Sequence, residues 1–181
     1  MPELFQVVKD PAPENSGGIP IFCHNHAAWL GSGVYFWESF IENARQYGAK
    51  HCQEWGKDHG TKGYAIYRVF VDYADRCFNL VDGVEDLKFI KKFYDGLQNK
   101  NHKGRPIRLF ELLRIMLTDP EFKKEYDCVR AKPDGGGLVP KPSLEYTLPN
   151  ARDRALFFFT PPIQVCYWQN APKKNNLTFV E

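Results

Sequence analysis

The chain has little with which to cross a membrane, knit disulfides or grip a polyanion. No apolar run approaches the ~20 residues that a membrane helix requires. The five cysteines (Cys23, Cys52, Cys77, Cys128 and Cys166) are odd in number and show no Cys-x-x-Cys spacing. That pattern argues against a disulfide frame and for reduced thiols. A formal charge of +2 is too small to define a nucleic-acid or anionic-lipid partner. The opening MPELFQVVKD carries acids and no apolar signal core, so the expected compartment is cytoplasmic. Internal repeats and linkers are also lacking, and 181 residues suit one domain over 1–181 with one ordinary core.

Several chemistries lack their signatures. The only glycine-rich pair near a strand, Gly-Ser-Gly at 31–33, precedes the strand and leads into no helix, so it is not a dinucleotide fingerprint. Cys23, His24, His26, His51 and Cys52 have the donor chemistry for zinc, but their spacing fits no finger or ribbon, and no metal is expected. No Ser-His-Asp or Cys-His arrangement stands out.

Aromatic residues are plentiful, at 15% of the chain. Part of that must be core, and part is available for stacking. LFQVVKD (4–10) reads as a first strand, GVYFWE (33–38) as a second and YAIYRVFVDY (64–73) as a third. CFNLVD (77–82) extends the third, while IPIFCHNH (19–26) holds a Phe22 of buried character. Ser39 is a candidate N-cap for a helix running past Trp55. Residues 84–100 are amphipathic, with Leu87, Ile90, Phe93, Tyr94 and Leu97 as the inner stripe, and a second such helix ends near Asp119-Pro120. YDCVRA (126–131) and two short apolar strands within 155–169 complete the pattern, and APKKNN (171–176) reads as a frayed tail. Strands at both ends with helices between them predict an α+β fold with a mainly antiparallel or split sheet.

The stretch WLGSGVYFWESFIENARQYGAKH (29–51) carries a resemblance. It resembles the nicotinamide-binding segment of the ADP-ribosyltransferase superfamily, which includes poly(ADP-ribose) polymerases and diphtheria-type toxins. There, a Gly-x-Gly-[Ile/Val]-Tyr-Phe strand runs into a helix bearing a small residue and a second tyrosine. Gly31, Gly33, Val34, Tyr35, Phe36 and Ala44 match that pattern, and Tyr47 sits one position beyond the polymerase tyrosine. YAIYRVFVDYADRCFNLVD, YDCVRA and PIQVCYW are similar, in the same order, to segments of a bacterial branch of the superfamily.

The resemblance implies an ADP-ribosyltransferase-like fold of split antiparallel sheets with flanking helices, and NAD as cofactor. It implies that Tyr35 and Tyr47 hold nicotinamide, with Gly33 and Phe36 in the same segment. Gln6 or His26 would meet the ribose side, Arg130 the phosphates, and Gln164 falls on the terminal strand. The acid that stabilises the oxocarbenium-like charge is one of Glu38, Asp153 or Glu145. Where the family carries a His-Gly or an Arg on its first strand, this chain has Phe5-Gln6, and no glutamate closely precedes Gln164. Implied partners are NAD, an unknown protein or nucleic-acid acceptor, and an antitoxin or other partner protein. A binding module without turnover on the same fold is the alternative, and a purely structural protein is the third.

The residues have ordinary roles open to them as well. Tyr35 and Phe36 are adjacent on a strand and point to opposite faces, so one of them is core. Glu38 also suits the N-terminus of the following helix, and Arg130 also suits an ion pair. Gln164, on an apolar strand, must find hydrogen-bond partners wherever it sits.

Overall fold

The computed structural model describes residues 1–10, 19–26, 28–101, 107–133, 144–147, 154–157 and 161–181, with 99–101, 144–147 and 154–157 described through the backbone. The first strands are β1 (Glu3–Lys9), β2 (Val34–Glu38), β3 (Tyr64–Phe70), β4 (Cys77–Asn79) and β5 (Cys128–Ala131). β6 (Leu144–Thr147) and β7 (Arg154–Phe157) form a separate antiparallel pair. β8 (Gln164–Tyr167) and β9 (Thr178–Phe179) follow. The helices are α1 (Ile41–His51), α2 (Gln53–His59), α3 (Val84–Asn101), α4 (Leu109–Met116) and α5 (Pro120–Glu125).

Seven strands join in one sheet of order β4-β5-β8-β2-β1-β3-β9. Every neighbouring pair is antiparallel except β4–β5, so the sheet is mixed and the fold is α+β.

Strand alternation sorts the side chains onto two faces. Leu4, Val34, Phe36, Val165, Tyr167 and Cys128 form the core of one face, covered by Val71, Tyr73, Ala171 and Leu177. The other face is covered by helices in two blocks. Phe5, Trp37 and Ile66 pack beneath α1 through Ala44 and Tyr47. Phe78, Val129, Ala131 and Cys166 pack against Leu113 and Met116 of α4 and Phe122 of α5. Between these blocks lies the site described below.

Several sequence expectations are corrected. The helix after β2 does not start at Ser39, which has φ 64 in the left-handed region; Phe40 occupies the cap position with no side-chain bond. That helix is also interrupted at Cys52, which leaves helical geometry at φ −114 and ψ 6. Asp119-Pro120, read as a stop signal, also starts α5: the Asp119 carboxylate accepts the Glu121 N–H at 2.9 Å and Pro120 pre-sets the first turn. Phe22 is 38% exposed, not buried. On α3, Ile90 and Phe93 lean on the core but Leu87 is exposed. YAIYRVFVDY is strand only to Phe70, and the CFN of β4 forms its own strand beside β5.

The tail is not frayed. Ala171 and Leu177 pack on the core, and β9 pairs with the outer edge of β3. The Val180 N–H donates to the Ile66 carbonyl at 2.9 Å, and the Ile66 N–H donates back to Glu181 at 2.6 Å. An edge strand that would otherwise present unpaired backbone is thereby covered.

Candidate functional site

The site begins with two strands that part. β1 pairs with β3 along seven residues, Glu3↔Phe70 through Lys9↔Tyr64, but with β2 at only two positions, Leu4↔Glu38 and Phe5↔Trp37. Beyond Phe5 the space between β1 and β2 is taken by the segment 19–25. Cys23 of that segment exchanges both backbone hydrogen bonds with Gly33, at 2.8 and 3.0 Å. On its other side Gln6 replaces a strand neighbour: its Nε2 donates to the Ile21 carbonyl at 3.0 Å and its Oε1 accepts the Ile21 N–H at 3.1 Å. A primary amide mimics a peptide group, so Gln6, only 2% exposed, satisfies backbone that the parted strands would leave unpaired.

The parting opens a cavity of about 410 Å³, within the range of small-molecule sites. Tyr35 and Trp37, two residues apart on β2, face it, and Tyr47 of α1 and Trp29 add further aromatic wall. Trp37 and Tyr47 touch with ring centroids 5.9 Å apart at 54°. Val7 and Ile21 supply apolar lining, and Gln6, Cys23, Asn25 and Gln164 the polar edge. Burial pushes the Tyr35 and Tyr47 phenols well above and above their ordinary range, respectively, so both rings are neutral across physiological pH.

Tyr35 is tethered by the turn before its own strand. Its hydroxyl donates to the Gly31 carbonyl at 2.6 Å and accepts the Leu30 N–H at 3.1 Å. The phenol oxygen is thus committed, and the cavity is offered the ring. Gln164 is 4% exposed and lies opposite Trp37 in the ladder, on the same face. The Trp29 indole N–H donates to its Oε1 at 2.7 Å.

Of the residues singled out in the sequence, Gln6, Tyr35, Tyr47 and Gln164 meet in this cavity. Glu38 and Arg130 meet on the opposite face. Arg130 Nε donates to Glu38 Oε2 at 2.6 Å and Nη2 to Oε1 at 3.1 Å, while Nη1 reaches Asn79 at 3.1 Å and Asp82 at 2.9 Å. Burial works against the guanidinium's charge, but the Glu38 bond and charge outweigh it and hold Arg130 firmly cationic. Phe36 is fully buried on that face, edge-on to Tyr167 at 5.9 Å, so it is core. His26 is exposed, with Nδ1 2.8 Å from Ser32 Oγ.

Gly33 does not line the cavity but pairs with Cys23, which does. Both its backbone groups are spent on Cys23, and a Cβ there would fall 2.5 Å from Cys166 Sγ and from the Tyr167 carbonyl oxygen. Its bareness lets β8 approach. Glu145 lies on β6 opposite Leu156, and Asp153 lies outside the described residues.

Trp29, Trp37, Cys23 and Asn25 were not anticipated as lining. Trp37 had a signal: it follows Tyr35 by two on a strand and must share its face. The others depend on the wedged segment, for which no local pattern speaks. No group of three His, Cys, Asp or Glu among the described residues is placed to hold a metal. No helix among them is long and apolar enough to cross a membrane. The fold and site define an α+β protein with an aromatic, amide-edged cleft where two sheet strands diverge. No protein-family model, curated protein or solved structure matches the chain.

Proposed function

We propose that the chain is an ADP-ribosyltransferase-like protein of the cytoplasm that binds NAD by seating nicotinamide in the cleft between β1 and β2. The observation that carries this reading is the convergence of Tyr35, Tyr47, Gln6 and Gln164 on one 410 Å³ cavity, although Gln6 and Gln164 are 158 positions apart. Nicotinamide is flat, with two apolar faces and a polar carboxamide edge. Stacking on aromatic walls contributes on the order of 1 kcal/mol beyond burial, and the Gln164 amide supplies the edge chemistry in a wall that Gln6 holds in place. In transfer, the bond between ribose C1′ and the pyridine nitrogen breaks and nicotinamide leaves with the electron pair. An acceptor nucleophile of a macromolecule or small molecule then bonds to C1′ and releases its proton. The positive charge that builds on the ribose calls for a carboxylate. Glu145 and Asp153 remain the candidates for that role.

The placement of Glu38 favours a second reading. It is bonded by Arg130 on the sheet face opposite the cavity, where it stabilises a cation of the protein. A module that binds NAD or ADP-ribose without turnover needs the aromatic cleft alone. One experiment separates the readings: titrate pure protein with NAD and follow both bound ligand and free nicotinamide. Turnover supports the transferase; saturable binding without release supports the module. A melting temperature unmoved by millimolar NAD, with no binding, removes both.

A further inference from the structure

We propose that Gln164 selects the ligand of the cleft by donating a hydrogen bond to a carbonyl oxygen on a planar ring, with Trp29 fixing which end of the amide it presents. This rests on the reading of the cleft as a ring-binding slot but does not need the ring to be nicotinamide.

The argument starts from what an indole can do. Trp Nε1–H donates and never accepts. Its 2.7 Å contact with Gln164 therefore identifies the atom it meets as the amide oxygen and settles the orientation of the whole group. The opposite end, the NH₂, then has two donors to place. Gln164 is 4% exposed and lines the cavity, and its Nε2 has no partner among the described residues. A buried amide with unspent donors is costly until something accepts from it.

The other cleft amide is arranged differently. Gln6 is occupied at both ends by the backbone of Ile21, so it holds the wall in place. The Tyr35 hydroxyl is likewise spent on residues 30 and 31. Gln164 is thus the described polar group whose free end faces a slot walled by Tyr35, Trp37 and Tyr47. Its chemistry demands an acceptor: a ring carrying C=O fits, and an isosteric ring with an alkyl group there leaves the donors unpaired. A site built to hydrogen-bond its ligand discriminates mainly against the analogue that lacks the group.

The test is calorimetric titration of the full chain with nicotinamide, 3-acetylpyridine, 3-ethylpyridine and uracil at pH 8. Nicotinamide and 3-acetylpyridine share a carbonyl, and 3-ethylpyridine keeps the shape without it. The expected result is that both carbonyl ligands bind roughly tenfold more tightly than 3-ethylpyridine, the size of one net hydrogen bond. Gln164→Leu abolishes that gap. Gln164→Glu, close in shape and still bonded by Trp29, abolishes it too, because it offers an acceptor where a donor is needed. Trp29→Phe keeps a ring in the wall but frees the amide to rotate, and narrows the gap.

A wild-type protein that binds the acetyl and ethyl compounds equally overturns the proposal without any variant. So does a gap that survives Gln164→Leu. Uracil binding that depends on Gln164, with no binding of any pyridine, ends the nicotinamide reading and leaves the role of Gln164 standing. Pyridine binding indifferent to Gln164 does the reverse. Binding of none of the four ends both.

Discussion

The hydroxyl of Tyr35 donates to the carbonyl of Gly31 at 2.6 Å, so the ring that faces the cleft is anchored by a turn four residues upstream on its own chain. The same oxygen accepts from Leu30, whose side chain is fully buried among Phe78, Leu113 and Val129. One phenol thus joins the α4–α5 core block to the cleft. Tyr35→Phe keeps the stacking surface but leaves a backbone donor and acceptor unpaired, at a cost of about 1–2 kcal/mol. Chemical denaturation should show that loss, with nicotinamide affinity changed less than threefold. Tyr35→Ala should lose both stability and binding. A Tyr35→Phe variant of full stability but no affinity would show that the hydroxyl, and not the ring, meets the ligand.

Glu38 and Arg130 form a bidentate pair with side chains only 11% and 13% exposed. Removing either partner strands a charge at low exposure, and breaking such a pair costs about 3–5 kcal/mol. Arg130 retains Asp82 and Asn79 when Glu38 is lost, so Glu38→Gln should sit at or below the lower end. Glu38→Leu combined with Arg130→Met should be less harmful than the sum of the single changes, because no unpaired charge remains. A double-mutant cycle in urea measures the coupling. At temperatures where Glu38→Gln is folded, it should bind NAD as the wild type does; a tenfold loss would return Glu38 to the ligand site.

The parts of the molecule that were legible in the sequence were those that local periodicity encodes. Alternation placed Tyr35 and Phe36 on opposite faces and marked strands at 4–10, 33–38 and 64–73, where the structure has Glu3–Lys9, Val34–Glu38 and Tyr64–Phe70. The apolar stripe Leu87, Ile90, Phe93, Tyr94 and Leu97 marked α3, although only Ile90 and Phe93 of it pack on the core cluster and Leu87 is exposed. Distance in sequence hid the rest. The Arg130–Glu38 bond spans 92 positions and the Trp29–Gln164 bond 135, and nothing near either end announces the other. Gln6 looked like a substitute for a ligand-binding histidine. Its two bonds to Ile21 appear only once the segment 19–25 is seen to wedge between strands. The two-residue β9 was too short to carry a periodic signal, and its pairing depends on the exposed edge of β3.

Alkaline pH should destabilise the fold through groups that it keeps protonated. Burial holds the Tyr167 phenol well above its ordinary 10.0, and pushes the Cys166 thiol from 9.0 to about 12. Both are nearly inaccessible, at 3% and 0% exposure. The unfolded chain therefore releases these protons first, and above about pH 9 it binds fewer than the native state. Stability then falls as pH rises, by up to ~1.4 kcal/mol per pH unit for each group past its unfolded value. Below pH 9 both groups are protonated in either state and contribute no slope. Urea midpoints in reducing buffer should drop steadily from pH 9 to 11, and Cys166→Ala should make the fall shallower without moving its onset, because the buried Cys128 thiol, held up by its bond with Cys77 and by burial, still contributes. A midpoint independent of pH over that window would mean that these groups are open to solvent.

Gly31 and Gly33 flank the same serine, yet substitution should harm them for different reasons. Gly31 has φ +83 and open space around the position of a Cβ. Alanine there meets only backbone strain, roughly 1 kcal/mol, and the Tyr35 anchor on its carbonyl persists. At Gly33 the backbone is ordinary, but a Cβ would lie 2.5 Å from both Cys166 Sγ and the Tyr167 carbonyl oxygen. The sulfur can rotate away; the carbonyl belongs to β8 and moves only with the strand. Pushing β2 from β8 also disturbs the Cys23–Gly33 bridge that holds the cleft's wedge. Gly33→Ala should therefore cost about 1–3 kcal/mol and weaken ligand binding as well, whereas Gly31→Ala should alter stability with little effect on affinity. Equal affinities in the two variants would show that the wedge does not depend on close contact between β2 and β8.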